Sequence, residues 1–483
     1  MVPKLEIHAE NEAPRYRQVY EQMRAAILSG QMARGEKLPP TRELAGSLGL
    51  NRTTIAAAYE LLEGEGLIKG HVGRGSFVEW TSRVDWETII PAEETAPAAP
   101  AALISFSASR PSEIQFPLEE FRVTCREVID SKEAANILQL GPASGYGPLR
   151  RYLMNAARER GEAGPEDDIL ITSGCQQAFD LIQRVLASRG ETVVLEDPVY
   201  PGLRSAFQRG GARVIGAPMG HQGIDLDSLE RIFEKERPRL IVLTPNFQNP
   251  TGTTIPEAAR KSLIDLARRS AVIVVENDLY GPLRYTGSEI PAIKKLDESG
   301  DTILLGSFSK IAFPGLRVGW AIGPRHFIAR LAEAKEASDL HSDQLSQAVL
   351  LRFAETGRLE AHRQKMLAAG VDRLRACLAG CAKELPKGSD YTRPEGGMNL
   401  WVRLPEPLDA AELAVRAARE NVSFTPGKYF AVSRPQTHGL RLSFAGLTPE
   451  NIRYGLQVLG LVFRTDFARA RRAQRDEPAP ALV

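Results

Sequence analysis

Five short apolar runs in the second part of the chain constrain its fold most strongly. They are rich in β-branched residues, end in polar residues or glycine, and have the sequences DILITSG, ETVVLEDP, RLIVLTPN, AVIVVEND and TILLGSFSK. Helical patterns such as CQQAFDLIQRVLASRG and PEAARKSLIDLARRS lie between them. Because a continuous apolar run is typical of a strand buried on both faces, we predict an α/β domain with a mainly parallel sheet.

A stretch rich in alanine, proline and glutamate divides the chain. Residues 81–103 end in PAEETAPAAPAAL, which offers few large side chains to a core and therefore predicts a semi-extended linker. The total of 483 residues exceeds what one core usually holds and favours two domains. We assign residues 12–80 to the first domain and 104–465 to the second. Residues 466–483 are basic and then rich in proline and alanine, and we expect a disordered tail.

Composition and charge narrow the class of protein. The formal net charge of +1 predicts neither strong membrane attraction nor general affinity for nucleic acid, so any DNA contact depends on local placement. No apolar run reaches the roughly 20 residues that span a bilayer, and the start of the chain lacks the pattern of a secretory signal. We therefore expect a cytoplasmic protein with no membrane partner. The four cysteines form no paired CxxC set, and we expect no metal site.

The first domain has the pattern of a winged helix-turn-helix. RYRQVYEQMRAAILSG has a helical period, LPPTRELAGSLGL predicts a second helix with Thr41 as its N-cap, and Asn51 caps a third helix, RTTIAAAYELLEGEG. LIKGHVGRGSFVEW alternates around glycines, which is typical of a two-stranded hairpin. This order of helices, turn and hairpin predicts a winged helix-turn-helix.

Six side chains of this domain are candidates for DNA contact. They are Arg42, Arg52, Thr53, Thr54, Lys69 and Arg74. Arg52 and the two threonines begin the third helix, at the end that enters a major groove, and the hairpin cations can reach the DNA backbone or minor groove. Residues 1–80 hold ten basic and ten acidic residues. A helical protein-interaction domain with solvated charges is therefore the alternative.

Polar residues follow the strand-like runs of the second domain, where a parallel sheet binds its ligands. The turn through Gly174 begins a helix whose N–H groups suit a phosphate, and SFSK with Arg317 supplies two hydroxyls and a guanidinium. Asn249 can bond a phenolic oxygen, and Lys310 is the only amine of the set. A lysine in an apolar pocket can form a Schiff base. Together these groups predict pyridoxal phosphate.

Residues 104–465 resemble the fold-type I aminotransferases, with NPTG and SFSK…PGLRVGW as the hallmarks. The resemblance implies a mainly parallel central sheet with a smaller C-terminal α+β subdomain. It implies that Lys310 holds the cofactor as an imine, that Tyr200 stacks on its ring and that Arg441 binds a substrate carboxylate. The alternatives are a core role for Tyr200 and a structural ion pair for Arg441. The further cofactor contacts that it implies are Cys175, Gln176, Asn249, Asn277, Asp278, Tyr280, Ser307, Ser309 and Arg317.

The two domains together resemble a known class of regulators. LPPTRELA, NRTTIAAAYELLEGEGLI and GRGSFV have the order and spacing of the GntR-type DNA-binding domain. A GntR-type head, a linker and an aminotransferase-like body resemble the MocR-type transcription regulators. This resemblance implies a homodimer, a double-stranded DNA operator, and an effector, an amino acid or amine, that changes operator binding when it meets the cofactor.

Two positions depart from the aminotransferase pattern. The family places an aspartate three residues before the tyrosine of ENDLYGPL, to pair with the pyridine nitrogen. This chain has Asn277 there and Asp278 next, and the sequence leaves open which of them serves the ring. An amide holds a positive ring charge less well than a carboxylate does. Relatives often carry a tyrosine where this chain has Leu140, and Tyr146 is the nearest candidate to replace it.

Three functions are compatible with these residues. The first is a regulator that senses an amine by imine exchange at Lys310, and the second is a working aminotransferase with a DNA-binding head. The third is a scaffold that acts through DNA binding alone. Lys310 argues against the scaffold, and Asn277 favours sensing with weak transamination over efficient turnover.

Overall fold

The computed structural model describes residues 5–8, 13–71, 73–80, 104–187 and 189–476. The chain divides into two compact units, Met1–Ala98 and Ala99–Val483, and each is described by itself. The predicted linker, residues 81–103, lies outside the described residues.

Three helices and a hairpin form the N-terminal unit. They are α1 (Arg15–Leu28), α2 (Thr41–Leu48), α3 (Arg52–Gly64), β1 (Ile68–His71) and β2 (Gly75–Val78). The hairpin is antiparallel, with Ile68 opposite Val78. Apolar side chains from all three helices and the hairpin meet in one cluster, whose centre includes Val19, Ile55 and Leu62.

The helix caps of this unit differ from the prediction in one place. Pro40, not Thr41, is the N-cap of α2, and Thr41 is the first helical residue. The two prolines before Thr41 restrict the backbone to an extended conformation up to residue 40, so the helix begins directly after them. Asn51 is the N-cap of α3, although its side chain makes no capping hydrogen bond.

An eight-stranded sheet lies at the centre of the second unit, which begins with a short strand, β3 (Ile104–Ser105). The sheet strands are β4 (Asp167–Thr172), β5 (Thr192–Asp197), β6 (Arg213–Gly220), β7 (Gly223–Ile224), β8 (Leu240–Leu243), β9 (Ile273–Asn277), β10 (Ile303–Ser307) and β11 (Gly319–Pro324). Their order is β4-β11-β10-β9-β8-β5-β6-β7. All neighbours from β10 to β6 pair in parallel, whereas β11 and β7 are antiparallel to theirs. The prediction of a mainly parallel sheet is confirmed.

Helices cover both faces of this sheet. They are α4 (Leu118–Ile129), α5 (Ala134–Ile137), α6 (Gly147–Arg160), α7 (Cys175–Leu186), α8 (Pro201–Arg209), α9 (Leu226–Glu236), α10 (Glu257–Arg269), α11 (Ile293–Leu296), α12 (Arg325–Asp339) and α13 (Gln344–Glu355). Successive residues of β5 belong to different cores: Leu195 packs with the α7 side chains, and Val194 packs with those of α9 and α10. Burial on both faces explains the uninterrupted apolar runs.

A smaller α+β subdomain follows, as predicted. Its elements are α14 (Arg358–Glu384), β12 (Asp390–Tyr391), β13 (Asn399–Arg403), α15 (Ala410–Arg419), β14 (Val422–Ser423), β15 (Thr425–Pro426), β16 (Gly439–Ser443) and α16 (Pro449–Asp476). Four strands form an antiparallel sheet in the order β12-β13-β16-β15, and β14 pairs in parallel with β3. Short 3-10 helices span Glu113–Gln115, Gly281–Leu283, Phe308–Lys310, Pro314–Leu316 and Gly427–Phe430.

The last helix corrects the prediction for the tail. Disorder over residues 466–483 is wrong for the first part of that range, because α16 continues to Asp476. Asp466 is buried and pairs with Arg416 of α15, and Phe467 packs against the core of the C-terminal subdomain, so the helix is held beyond residue 466. Residues 477–483 lie outside the described residues. In the described part of the chain, no helix is long and apolar enough to cross a membrane.

Candidate functional site

The polar residues that follow the strands meet in one cavity of the second unit. It has a volume of about 280 Å³ and lies at the carboxyl ends of the parallel strands, where such sheets bind ligands. The predicted residues that line it are Cys175, Gln176, Tyr200, Asn249, Asn277, Tyr280, Ser307, Ser309, Lys310, Arg317 and Arg441. Asp278 is the one predicted residue of this set that does not line it.

One end of the cavity is suited to an anion. Gly174 is the N-cap of α7, and within the described part of the chain no side-chain cap is found for the N–H groups at this helix start. The guanidinium of Arg317 donates to Ser309 Oγ at 3.3 Å and to the main-chain oxygen of Ser173 at 3.4 Å. Ser307 Oγ donates to Ser309 Oγ at 3.0 Å. Gly174 has φ +74°, and a Cβ there would collide with the guanidinium, so glycine keeps this space open.

Three predicted residues complete this end. Cys175 donates its Sγ proton to the main-chain oxygen of Gly306, and burial raises the pKa of its thiol to about 12, so the group is neutral. Gln176 Nε2 donates to the main-chain oxygen of Gly202 at 2.9 Å. Tyr200 is 44% exposed and lines the cavity, which places it outside the core.

Lys310 lines the same cavity. Its Nζ donates to the main-chain oxygen of Ser109 at 2.9 Å and lies 5.6 Å from the ring centre of Tyr280. Asn249 Nδ2 donates to the Tyr280 hydroxyl at 3.5 Å. The Lys310 amine, the Tyr280 phenol and the Asn249 amide therefore lie close to one another. No carboxylate is among the residues described as lining the cavity.

Arg441, on β16, forms the other cationic wall. Its guanidinium donates to Asn249 Oδ1 at 3.0 Å, to Thr425 Oγ1 at 3.3 Å and to the main-chain oxygen of Ser107. It also lies over the ring of Phe430, 4.9 Å from the ring centre. Burial lowers the pKa of Arg441 to about 10, so the group stays charged at neutral pH. Its partners within the described residues are neutral, so it forms no structural ion pair there.

Asn277 and Asp278, the two candidates for contact with the pyridine nitrogen, lie at the end of β9 and point in different directions. Asn277 lines the cavity and its Nδ2 donates to Thr244 Oγ1 at 3.1 Å. Asp278 is turned away: its carboxylate accepts from Asn246 Nδ2 at 2.9 Å and from the Gly281 N–H at 3.0 Å. Burial raises the pKa of Asp278. The period of two along a strand accounts for the opposite orientations.

Unpaired polar atoms show that the cavity fits a polar ligand. Ser109 Oγ, Asn277 Oδ1 and Arg441 Nε are buried and have no hydrogen-bond partner among the residues described. All three residues line the cavity. An unpaired buried group costs about 1–3 kcal/mol, so these atoms favour a ligand with polar groups. With the open helix start and Arg317, the residues present fit a phosphorylated, ring-bearing cofactor.

Several lining residues carry no signal in the local sequence. Ser109 and Thr244 contact predicted residues, yet they belong to none of the motifs. Leu140 is 77% exposed, and Tyr146 packs against apolar side chains of the body rather than lining the cavity. Neither of them contributes to this cavity.

The predicted DNA contacts lie on the N-terminal unit. Arg42, Arg52, Thr53, Lys69 and Arg74 are exposed, and Thr54 is half-buried. Other cations of this unit pair with carboxylates, such as Arg24 with Glu65. The four predicted cations make no such pair with any residue that the structure describes, which leaves them available to phosphate.

Two family descriptions match the chain. "Bacterial regulatory proteins, gntR family" matches residues 15–78, and "Aminotransferase class I and II" matches residues 112–459. The uncharacterized HTH-type transcriptional regulator YdfD of Bacillus subtilis is 30% identical over 473 residues, which cover 93% of this chain and 96% of YdfD. The probable rhizopine catabolism regulatory protein MocR of Rhizobium meliloti is 27% identical, and the match covers 95% and 96% of the two chains.

The chain belongs to the MocR-type regulators. Like other MocR-type regulators, it combines a gntR-family domain, which implies DNA binding, with an aminotransferase body, a fold whose members are typically dimers.

The body of this MocR-type regulator is also similar to enzymes. The 2-aminoadipate transaminase of Thermus thermophilus is 38% identical over 365 residues, which cover 74% of this chain and 89% of the enzyme. The α-aminoadipate aminotransferase LysN of Thermus thermophilus, solved with N-(5'-phosphopyridoxyl)-L-leucine, has a TM-score of 0.70 and 37% identity, covering 76% and 93% of the two chains. The family and this complex support pyridoxal phosphate as the cofactor.

Proposed function

We propose that this protein binds a DNA operator through its N-terminal unit and senses an amino acid or amine by imine exchange at Lys310. The observation that carries the proposal is the combination of Lys310 with Asn277 in one cavity. Lys310 supplies the amine that covalent capture requires. By its resemblance to the aminotransferases, Asn277 would stand where those enzymes carry the carboxylate that pairs with the pyridine nitrogen.

Different residues of the cavity would hold different parts of the cofactor. Pyridoxal phosphate, when bound, supplies an aldehyde and an electron-withdrawing ring. The start of α7, with Cys175 and Gln176, would hold the phosphate together with Ser307, Ser309 and Arg317. Asn249 and Tyr280 would bond the phenolic oxygen, and Tyr200 would cover the ring. Arg441, which is charged and buried, would bind a carboxylate of the effector.

Asn277 favours sensing over efficient catalysis. Its amide presents a neutral acceptor, Oδ1, to the cavity, whereas the neighbouring carboxylate of Asp278 is bonded to Asn246 and Gly281 on the other side of the strand. A protonated pyridine nitrogen would therefore have no anionic partner. A cavity that stabilises this charge less would slow the formation of keto acid when the cofactor is bound.

A spectroscopic experiment tests the proposal. The purified protein should be yellow with pyridoxal phosphate, and amino acids should shift its visible band and change its affinity for operator DNA. Lys310→Ala should retain operator binding and lose the response to amines. Lys428→Ala is the matched control, because Lys428 is exposed and lies outside the cavity. An unchanged amine response in Lys310→Ala would contradict the proposal.

A working aminotransferase with a DNA-binding head is the second candidate. The 38% identity to a transaminase favours it. Release of keto acid over many cycles separates the two functions, because a sensor needs only one capture event per response. Steady keto acid production from a common amino acid would support the enzyme.

A homodimer is part of the proposal. Large apolar side chains stay exposed on the body around α4 and α5, among them Ile114, Leu138 and Leu140. A contiguous exposed apolar patch is typical of an interaction site, and we propose that these side chains belong to one. Light scattering should give twice the chain mass of 53.0 kDa, about 106 kDa, and a monomer would contradict this point.

A further inference from the structure

We infer that the second unit has another ligand site, at the amino ends of its parallel strands, and that this site takes an apolar carboxylic acid. The site is a cavity of about 680 Å³, called the amino-end cavity below. The cavity that contains Lys310 measures about 280 Å³ and is called the Lys310 cavity. A volume of about 300–1,000 Å³ is typical of small-molecule sites. The inference does not depend on amine sensing at Lys310.

The amino-end cavity lies at the end of the sheet opposite to the Lys310 cavity. The residues directly before β8, β9 and β10 line it; they are Arg239, Val272 and Thr302. β9 reaches from Ile273 in this cavity to Asn277 in the Lys310 cavity, and β10 reaches from Ile303 to Ser307 in the same way. Four residues of strand cover roughly 13 Å, so the two cavities are separate sites.

Apolar side chains from both helical layers form the floor of the amino-end cavity. Ile303 and Phe327 are buried in the core beside α7, and Ala267 and Val272 are buried in the core beside α9 and α10. Ile273 also lines the cavity and is only half-buried, although β9 is a central strand. Central strands covered by helices are normally buried on both faces. The half-buried Ile273 therefore marks apolar surface that an apolar ligand would cover.

Arginine side chains lie at the mouth of this cavity. Arg239, Arg268 and Arg330 line it and are exposed. Arg239 has no carboxylate partner in the described part of the chain. Arg268 pairs with Asp265 at 3.3 Å and Arg330 pairs with Glu333 at 2.8 Å, each within its own helix. Exposed pairs of this kind are weak, so both guanidinium groups can turn to a ligand.

The carboxylates of the described lining do not cancel this positive charge. The oxygens of Asp297 accept bonds of 2.6 to 3.0 Å from the N–H and hydroxyl groups of Ser299 and Thr302, which occupies them within their own loop. Asp301, which is exposed, is left to face the three arginines. A guanidinium matches the two oxygens of a carboxylate. An apolar floor beneath a cationic mouth therefore suits an apolar molecule that carries one carboxylate.

The test uses the full chain loaded with pyridoxal phosphate and three probes that share one apolar chain. Octanoate carries the carboxylate, octanol is neutral, and octyltrimethylammonium is a cation that cannot form an imine. Isothermal titration calorimetry gives the dissociation constant and the number of sites. The variant replaces all three arginines of the mouth: Arg239→Gln, Arg268→Gln and Arg330→Gln. Arg419→Gln is the control, because Arg419 is exposed and lies outside the cavity.

One octanoate per chain should bind, about tenfold or more tightly than octanol or octyltrimethylammonium. The triple variant should weaken octanoate binding roughly tenfold and leave octanol binding unchanged, whereas Arg419→Gln should behave as the wild type. An octanoic acid analogue with a diazirine group locates the site after irradiation, digestion and mass spectrometry. It should label the segments 264–274 or 324–330, which contribute to the lining.

The outcomes separate this inference from the proposed function. The site is overturned if octanoate does not bind, if it binds no more tightly than octanol, or if the triple variant keeps the wild-type affinity. Labelling confined to residues of the Lys310 cavity would place the acid there and overturn the site as well. All of these results leave amine sensing intact. A visible band that no amino acid shifts contradicts the proposed function and leaves the amino-end cavity unaffected.

Discussion

Replacing the amide of Asn277 by a carboxylate tests most directly whether residue 277 would face the pyridine nitrogen of the cofactor. Asn277→Asp keeps the shape of the side chain and places a carboxylate oxygen where the unpaired Oδ1 lies. The side chain is 6% exposed, so water screens this charge little. We expect faster production of keto acid from amino acids, because the pyridine nitrogen gains an anionic partner.

The size of the gain follows from the change in hydrogen bond. A hydrogen bond between neutral groups contributes about 0.5–1.5 kcal/mol, and one to a charged group about 1.5–3 kcal/mol. The difference of about 1–2 kcal/mol corresponds to a roughly 5- to 30-fold increase in rate. Burial raises the pKa of the neighbouring Glu276 carboxyl to about 7, so this group is only partly ionised at neutral pH. Its ionised fraction repels the new carboxylate and reduces the gain.

Single-turnover keto acid formation, followed beside the cofactor band, measures the effect. Asp278→Asn is the matched control, because its carboxylate bonds to Asn246 and Gly281 instead of lining the cavity. This control should leave the rate unchanged. If Asp278→Asn abolishes the reaction and Asn277→Asp does not accelerate it at full cofactor loading, the assignment of the ring position is wrong.

Two further predictions concern DNA binding and pH. Arg52→Ala should weaken binding to an operator selected from random-sequence DNA by about 1–3 kcal/mol, or roughly 5- to 150-fold. Fluorescence anisotropy measures this affinity. Arg17→Ala is the control, because Arg17 pairs with Glu21. An equal loss in both variants would argue against base contact by Arg52. Burial raises the pKa of Glu196 from 4.5 to about 8, so its stabilising proton is fully present below about pH 4.5 and is lost as the pH rises through 8. Denaturant unfolding should show a fall in the free energy of unfolding on the order of 5 kcal/mol across this window. Glu196→Gln should remove this fall, and parallel plots of stability against pH for the two proteins would contradict the buried proton.

The local sequence is sufficient for strands that are buried on both faces. The run ETVVLEDP predicts β5 because each of its apolar residues packs against one helical layer or the other. It does not predict that β11 lies between β4 and β10. That position depends on pairing with distant residues, such as Gly319 with Thr172, which no local pattern encodes. The tail was misjudged for the same reason, since Asp466 is held by Arg416 of a different helix.

The candidate site shows the same difference between residues that a local motif predicts and residues that depend on contacts between distant segments. Lys310 and Arg317 could be predicted because their side chains belong to a contiguous motif. The choice between Asn277 and Asp278 could have been made from strand alternation, since Val275 faces the α7 layer and residue 277 shares its side of the strand. Ser109 gave no signal, because it contacts Lys310 through a main-chain oxygen from 201 residues away.

The pairing of β3 with β14 decides where the chain can be cut. Phe106 directly follows β3 and is fully buried in the C-terminal core. Its N–H donates to the main-chain oxygen of Ser423 at 2.8 Å. Losing a buried phenylalanine costs about 3–5 kcal/mol. A protease or a truncation that removes the DNA-binding unit therefore leaves a sound body only if the break falls before Ile104.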